Sequence, residues 1–409
     1  MKPSEVEILQ YSPIGKYQFF APSTVHIELT NACPEKCRHC YNFWRQDNFC
    51  PEKMTRENFD LLVKELVKNK VFHVILTGGE PLVNYDVLLY AVAELKKNGL
   101  TVTCNSNLVL ATKEKMEALK QAGLPHILTS LNSYRKDVND FMVSTPGAYE
   151  KILAGIRCAV DAGIVISVNM IISKNNIKDI YNTAELAAKL GAKKFNATRT
   201  VPPVGQGKEF QKEFEVGKED AKYILEQLLL IERDLGLVGG ALIAFPHCFL
   251  GDLSKYRSLL MRGCPAGSKM MSINVDGSTH ACVHEAEGYG NVFEIGLQQA
   301  WENMKKWRTG ELIPEGCKTC SLFDVCNAGC RMVALSYYGA LNERDNLKVA
   351  AVNVKDTPYK KLLDDLKAGK VKNSPGLRFR KEKGFTAVNV FGAETFVCKV
   401  KSDDSDTAG

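Results

Sequence analysis

Three cysteines near the N-terminus form the first group of residues able to do chemistry. Cys33, Cys37 and Cys40 follow the spacing C-x3-C-x2-C. A structural zinc site usually has four ligands, so three thiolates leave it incomplete. Three thiolates suit a [4Fe–4S] cluster in which one iron has no protein ligand and is open to a substrate or cofactor. The spacing alone leaves a zinc knuckle and a disulfide cluster as alternatives.

A second group is the segment Gly78-Gly79-Glu80-Pro81, which directly follows the apolar run 71–76. Two glycines let a backbone approach a ligand closely. Free carbonyl groups and the Glu80 carboxylate can accept hydrogen bonds from an ammonium group. Taken by itself, the segment also fits an ordinary glycine turn.

The two groups together resemble the signatures of the radical S-adenosylmethionine (SAM) superfamily. The resemblance implies that SAM chelates the open iron through its amino and carboxylate groups. It also implies that the segment with Gly78, Gly79 and Glu80 holds the SAM amino group. One electron from the cluster would then cleave SAM to a 5′-deoxyadenosyl radical. The superfamily usually has an aromatic residue before the third cysteine, where this chain has His39.

The same resemblance assigns polar residues on later strands to the ribose and carboxylate of SAM. By position, Ser130 and Asn169 are the candidates, and we expect Asn105 to face the same opening. Arg199 is a candidate contact for the SAM carboxylate or the substrate. The family commonly has Asp near position 132, where this chain has Asn132. A structural hydrogen bond explains each of these residues equally well, because strand-end polar groups often satisfy the backbone.

A further cysteine-rich region begins at Cys264. Cys264 and Cys282 flank Gly277, and the run C-x2-C-x5-C-x3-C starts at Cys317. The Asp276-Gly277 pair predicts a tight hairpin that brings Cys264 and Cys282 together. This pattern resembles the SPASM extension of radical SAM enzymes, which binds two auxiliary [4Fe–4S] clusters; a pair of zinc sites is the alternative. The resemblance implies two ligand sets, namely Cys264, Cys282 and Cys330, and Cys317, Cys320 and Cys326.

The pattern departs from SPASM at its last position. The family has a seventh cysteine soon after Cys330, whereas the next cysteine in this chain is Cys398. Cys398 could fold back, a ligand such as a carboxylate could complete the second cluster, or that cluster could be incomplete or absent. Cys248 is a candidate fourth ligand for the Cys264 cluster, although a lone cysteine is more often a small buried hydrophobe.

Strand and helix patterns alternate through the first half of the chain and would position these groups. The strand 24–29 leads into the first cysteines, and Thr55 is a predicted helix cap. Five further strand-then-helix units follow, in which helices end at glycine and the next strand begins at once. This rhythm predicts a parallel sheet with right-handed crossovers. The resemblance implies an α/β fold, a partial (β/α)6 TIM-like barrel followed by a small cysteine-rich α+β domain.

The predicted divisions of the chain are a lead-in (1–23), the barrel (24–215), a linker helix (216–245), the SPASM region (246–350), a tail (351–401) and a disordered end (402–409). Gly239-Gly240 would be the hinge between the two domains. Alternation in the tail predicts a short β meander, which resembles the first strands of peptide-binding recognition elements. An edge hairpin packed on the core is the alternative.

Composition and hydropathy argue against several classes of protein. The 409 residues, 45% of them hydrophobic, are enough for more than one domain. The net charge of +6 is small, and no dense basic block indicates nucleic-acid binding. No signal peptide is evident, and no window approaches about 18 uninterrupted apolar residues, which argues against a membrane span. The 14 cysteines cluster at short spacings, so we expect metal ligation in a reducing, oxygen-poor cytoplasm.

We therefore expect an oxygen-sensitive radical SAM/SPASM enzyme that abstracts hydrogen from a ribosomally made precursor peptide and forms or breaks a bond in it. The expected partners are that peptide, a flavodoxin or ferredoxin electron donor and a separate recognition-element protein. A formylglycine maturase of sulfatases is one alternative, although its Asp is replaced here by Val283. A tetrapyrrole or other cofactor maturase is another. A plain electron carrier would have no use for Gly78-Gly79-Glu80-Pro81, and no catalytic side chain can be named.

Overall fold

The computed structural model describes residues 19–42, 51–202, 212–256, 258–259 and 263–349, together with three strands between 377 and 397. Its first seven strands are β1 (Thr24–Glu28), β2 (His73–Thr77), β3 (Thr101–Asn105), β4 (His126–Ser130), β5 (Val165–Ile172), β6 (Lys194–Arg199) and β7 (Val238–Gly240). The helices between them are α1 (Arg56–Lys68), α2 (Tyr85–Lys97), α3 (Lys113–Ala122), α4 (Lys136–Val143), α5 (Ala148–Asp161), α6 (Ile180–Lys189) and α7 (Lys218–Leu235). Short 3-10 turns cover Pro81–Asn84 and Ile177–Asp179.

The cysteine-rich region adds two strands and several short helices. They are β8 (Met270–Ile273), β9 (Thr279–His280), α8 (Val292–Asn303), α9 (Lys306–Thr309), α10 (Glu315–Lys318), α11 (Phe323–Cys326) and α12 (Arg331–Tyr338). The tail contributes β10 (Leu377–Glu382), β11 (Phe385–Val390) and β12 (Ala393–Val397).

Nine of these strands form one sheet in the order β7-β6-β5-β4-β3-β2-β1-β8-β9. All neighbours from β7 to β8 run parallel, and β9 runs antiparallel to β8. The predicted α/β barrel-type fold is confirmed. Helices α1 and α3 have the local signals at their ends that the sequence predicts. Thr55 caps α1 by accepting a hydrogen bond from the Asn58 amide at 3.1 Å. Gly123, at φ 106°, ends α3 in the left-handed region.

The two faces of the sheet differ in polarity. On the face covered by helices, strand residues such as Ile27, Leu76 and Val168 are fully buried in one hydrophobic core. The opposite face carries polar side chains, and His73 hydrogen-bonds the hydroxyls of Thr101 and Thr103 at 2.8 and 3.1 Å. Successive side chains of a strand alternate between faces, so the strands have an apolar outer face and a polar inner face.

The predicted hinge at Gly239-Gly240 is wrong. Both glycines belong to β7, which pairs with β6 through Phe195↔Gly239 and Asn196↔Gly240. A side chain at Gly240 would place its Cβ 2.8 Å from Asn196 Oδ1, so glycine suits the close contact between the two strands. The predicted linker helix α7 is instead the crossover between β6 and β7. Helix α4 was not predicted at all.

The tail strands form a separate antiparallel meander, β10-β11-β12, as the alternation predicts. Cys50, Cys398, most of the predicted lead-in and the end 402–409 lie outside the described residues. None of the helices in the described ranges combines the length and the apolar character that crossing a membrane requires.

Candidate functional site

The first cysteine loop leaves the carboxyl end of β1. Cys33, Cys37 and Cys40 are half-buried free thiols, and the Cys40 amide donates to the Cys37 carbonyl at 3.1 Å. The loop is fastened to the end of α4, because the amides of Lys36 and Arg38 donate to its carbonyls at 3.3 and 3.0 Å. The unpredicted helix therefore supports the predicted metal loop.

The two glycines after β2 allow close contact with the backbone that leads into the cysteine loop. The Gly79 amide donates to the Thr30 carbonyl at 2.6 Å, and the Glu80 amide donates to the Ala32 carbonyl at 2.8 Å. A Cβ at Gly78 would lie 2.2 Å from Thr30 O, and one at Gly79 would lie 2.2 Å from Ala32 O. The glycines thus join two protein segments, a reason the sequence did not suggest.

Glu80 is fully buried and holds this junction to the end of β3. Its Oε1 accepts from the Leu82 amide at 2.9 Å and from Ser106 Oγ at 2.7 Å, while Oε2 accepts from the Asn107 amide at 2.7 Å. Burial raises the pKa of Glu80 to about 6, opposed by these donors. Three protein donors make it a positioning residue, and direct contact with SAM stays a prediction.

Asn107 and Glu35 complete the surroundings of the first cysteines. Asn107 Nδ2 lies 3.6 Å from Cys33 Sγ and donates to Glu35 Oε2 at 2.9 Å. The Cys37 thiol lies 3.7 Å from the same carboxylate oxygen. An amide donor beside a sulfur favours its thiolate form. Sequence reasoning missed both residues, although Glu35 lies within the cysteine motif and Asn107 lies two residues after the end of β3.

The other predicted SAM contacts on β3, β4 and β5 share the inner face. Ser130 and Asn169 are register partners on adjacent strands, and Asn105 pairs with Leu128, two residues before Ser130. Asn169 accepts a hydrogen bond from Thr198 Oγ1 at 2.6 Å. The three side chains therefore face one side of the sheet, at the carboxyl ends of their strands. Their contact with SAM stays a prediction.

Arg199 does not belong to this group. Asn196 is the register partner of Asn169, and Arg199 lies three residues further along β6. Because strand side chains alternate between faces, the Arg199 side chain lies on the face of the sheet opposite to Asn169. Its guanidinium pairs with Asp345 and also donates to the Ala244 carbonyl at 2.5 Å. The two charged side chains are 2% and 0% exposed. This corrects the expected role of Arg199: it forms a buried structural ion pair.

The first predicted auxiliary ligand set comes together in the structure. Burial raises the pKa of Cys282, and the neighbouring thiols Cys264 and Cys330 raise it further. Strands β8 and β9 form the predicted hairpin. Its turn places Gly277 at φ 88°, where a side chain would be strained. The thiols therefore lie near one another, while their ligation stays a prediction.

Members of the second set are linked by backbone hydrogen bonds. The Cys320 amide donates to the Cys317 carbonyl at 3.1 Å. The amide of His247, the neighbour of Cys248, donates to Cys326 Sγ at 3.4 Å. Cys248 therefore lies beside Cys326 of this set, whereas the sequence made it a candidate ligand for the Cys264 cluster.

An aromatic contact links the first cysteine loop to the cysteine-rich region. The rings of Tyr41 and His284 have centroids 4.4 Å apart, and His284 Nδ1 lies 3.6 Å from Cys282 Sγ. Burial lowers the pKa of His284 to about 4, so its imidazole is neutral at pH 7. The sequence offers a weak signal for this pair, since Tyr41 follows Cys40 directly.

The chemistry of the donor sets fits iron–sulfur clusters, because cysteine thiolates are the groups that hold such clusters in proteins. In the described ranges, no three His, Cys, Asp or Glu side chains gather as the ligands of a single metal ion would.

Two family models match the chain. The radical SAM superfamily model covers residues 27–187. The SPASM model, described as an iron-sulfur cluster-binding domain, covers residues 264–321.

Three curated relatives match most of the chain. An AdoMet-dependent heme synthase of Methanosarcina barkeri is 28% identical, over 80% of this chain and 95% of the relative. A PqqA peptide cyclase of Rhizobium meliloti is 26% identical, over 79% of this chain and 86% of the relative. The mycofactocin maturase MftC of Mycolicibacterium smegmatis is 26% identical, over 76% of this chain and 78% of the relative.

Solved structures share the fold. Streptococcus suis SuiB bound to its precursor peptide SuiA superposes with a TM-score of 0.64 and 16% identity, over 80% of this chain and 76% of SuiB. The protein anSMEcpe, with bound AdoMet and a peptide, superposes with a TM-score of 0.62 and 16% identity, over 79% of this chain and 93% of anSMEcpe.

Proposed function

The chain belongs to the radical SAM superfamily and carries a SPASM iron–sulfur domain, and from this we propose that it modifies a ribosomally made precursor peptide. It is an enzyme whose cofactors are SAM, a [4Fe–4S] cluster and auxiliary iron–sulfur clusters. When bound, the first cluster and SAM would supply the radical chemistry for hydrogen abstraction from the substrate. Cys33, Cys37 and Cys40 would hold that cluster.

The chain's own residues have positioning roles in this scheme. Asn107 supports the thiolate of Cys33 with an amide hydrogen bond. Glu80 fixes the glycine segment beside the cysteine loop through three buried donors. Asn105, Ser130 and Asn169 present polar groups on the inner face, where they would orient SAM.

One observation carries the choice of a peptide substrate. Two relatives named for peptide cyclisation and maturation match 79% and 76% of this chain. The tail offers further support, because β10 and β12 are the outer strands of its three-stranded meander. An extended peptide can add to such an edge by backbone hydrogen bonds. A separate recognition-element protein would fit the same role, and a flavodoxin or ferredoxin would supply the electron.

Heme-precursor modification is a second candidate. The heme synthase relative has the higher identity, 28%, and is matched over 95% of its length. Formylglycine formation ranks lower, because Val283 stands where that family has Asp. The nearby carboxyl of Glu285 accepts from Tyr289 Oη at 2.8 Å and from the Ala281 amide at 3.1 Å, so it is already engaged.

The test uses the anaerobically reconstituted enzyme with SAM and a chemical reductant. Formation of 5′-deoxyadenosine, lost in Cys33→Ala, is expected for either candidate. Mass spectrometry of a co-expressed precursor peptide from the same gene neighbourhood then separates them, and a changed peptide mass supports the proposal. An unchanged peptide together with conversion of a heme precursor would overturn it.

A further inference from the structure

We propose that Cys248 is the fourth ligand of the auxiliary cluster held by Cys317, Cys320 and Cys326. It would replace the cysteine that the SPASM pattern places soon after Cys330. The inference concerns only how the chain holds this cluster, so it stands whether the substrate is a peptide or a heme precursor.

Backbone hydrogen bonds place Cys248 beside this set. Cys248 lies in the segment after β7, and the amide of its neighbour His247 donates to Cys326 Sγ at 3.4 Å. Adjacent Cα atoms are about 3.8 Å apart, so Cys248 itself must lie close to Cys326. The Val349 amide donates to Cys248 Sγ, also at 3.4 Å. Amide hydrogen bonds to cluster sulfurs are one means by which proteins set the reduction potential of a cluster.

The segment 348–349 joins Cys248 to the helix that bears Cys317. The Val349 amide bonds Cys248 Sγ. The ammonium group of its neighbour Lys348 lies beside that helix, since a Cβ at Gly316 would be 2.7 Å from Lys348 Nζ. Four thiolates around a cluster carry net negative charge, and a nearby ammonium offsets it.

The carboxylate alternative is disfavoured. Asp345 lies 15 residues after Cys330, where a replacement for the missing cysteine is expected. Both of its oxygens bind Arg199. Oδ2 also accepts from the Cys330 amide at 2.9 Å, and Oδ1 accepts from the Leu347 amide at 3.0 Å. A carboxylate with four donors has no lone pair left for iron. Cys398 lies outside the described residues.

The experiment counts iron in a chain that retains only its auxiliary sites. The triple variant Cys33→Ala/Cys37→Ala/Cys40→Ala, reconstituted anaerobically, is expected to bind about eight iron and eight sulfide, four of each per cluster. Adding Cys248→Ala should remove about half of the iron, or leave the electron paramagnetic resonance signal of a [3Fe–4S] cluster. Adding Cys158→Ala, which changes a half-buried cysteine of α5, should change neither readout.

Two results would overturn the proposal. One is full iron content and unchanged spectra in the Cys248→Ala background. The other is loss of the cluster in Cys398→Ala with Cys248→Ala unaffected. If far-ultraviolet circular dichroism shows that Cys248→Ala does not fold, Cys248→Ser decides. A serine oxygen on iron changes the g values of one auxiliary cluster, whereas a residue that only packs leaves both spectra as they were.

Discussion

The buried ion pair between Arg199 and Asp345 yields a quantitative prediction. The side chains are 2% and 0% exposed, and Arg199 also donates to the Ala244 carbonyl and to Asn346 Oδ1. Arg199→Met leaves the buried Asp345 carboxylate without its charged partner. It also removes the hydrogen-bond donor of the Ala244 carbonyl and of Asn346 Oδ1. Breaking one partner of a buried pair costs about 3–5 kcal/mol. We expect the free energy of unfolding to fall by that amount.

The assay is urea unfolding followed by tryptophan fluorescence under anaerobic conditions, on apoprotein and on reconstituted protein. Lys136→Met is the matched control, because Lys136 and Glu150 form an ion pair whose side chains are 59% and 54% exposed. Exposed pairs contribute under about 1 kcal/mol. The double variant Arg199→Met/Asp345→Asn should lose less stability than the sum of its single variants, since the two residues contact each other.

The opposite pattern would refute this reasoning. If Arg199→Met unfolds at the wild-type urea concentration but no longer binds SAM in equilibrium dialysis, Arg199 contacts the ligand and does not act as a structural ion pair. An unchanged SAM affinity with a lowered unfolding midpoint supports the structural role.

Three further predictions concern the loop, the cluster and pH. Gly79→Ala should abolish cluster retention, measured as bound iron, because its Cβ would lie 2.2 Å from a backbone oxygen; Gly217→Ala, whose Cβ has its nearest atom at 3.6 Å, is the control and should retain iron. Asn107→Ala should slow formation of 5′-deoxyadenosine, because Cys33 loses its amide donor, and an unchanged rate would contradict this. Burial lowers the pKa of His73 from 6.5 to about 4. As pH falls, the unfolded chain therefore protonates this histidine before the folded chain does. The free energy of unfolding should fall as pH drops from about 6.5 to 4. His73→Gln should flatten the dependence of the urea midpoint on pH over that interval, and an equal slope in both proteins would count against it.

Local signals predicted most of the barrel because they act between near neighbours. Thr55 caps α1 through the Asn58 amide, as predicted, and α3 ends at a glycine, Gly123, as the strand-then-helix rhythm predicts. Helix α4 escaped prediction. Its N-cap residue, Arg135, makes no side-chain capping hydrogen bond.

The misassigned site residues have distant partners. Arg199 and Asp345 are 146 residues apart, and the Cys248 thiol accepts from an amide 101 residues away. The amino-acid sequence shows which residue stands at such a position but not which distant residue it contacts. The spacing of Cys317, Cys320 and Cys326 is different, because all three predicted ligands are close in sequence and the motif is therefore visible there.

The position of β1 in the sheet has consequences for how the enzyme can be divided. This strand pairs with β2 on one side and with β8 on the other, in the register Thr24↔Met270. A fragment ending before Met270 would turn β1 into an exposed edge, and such edges recruit other chains. The strand that leads to Cys33 is therefore braced from both halves of the polypeptide. Neither half should be expected to behave as an independent module.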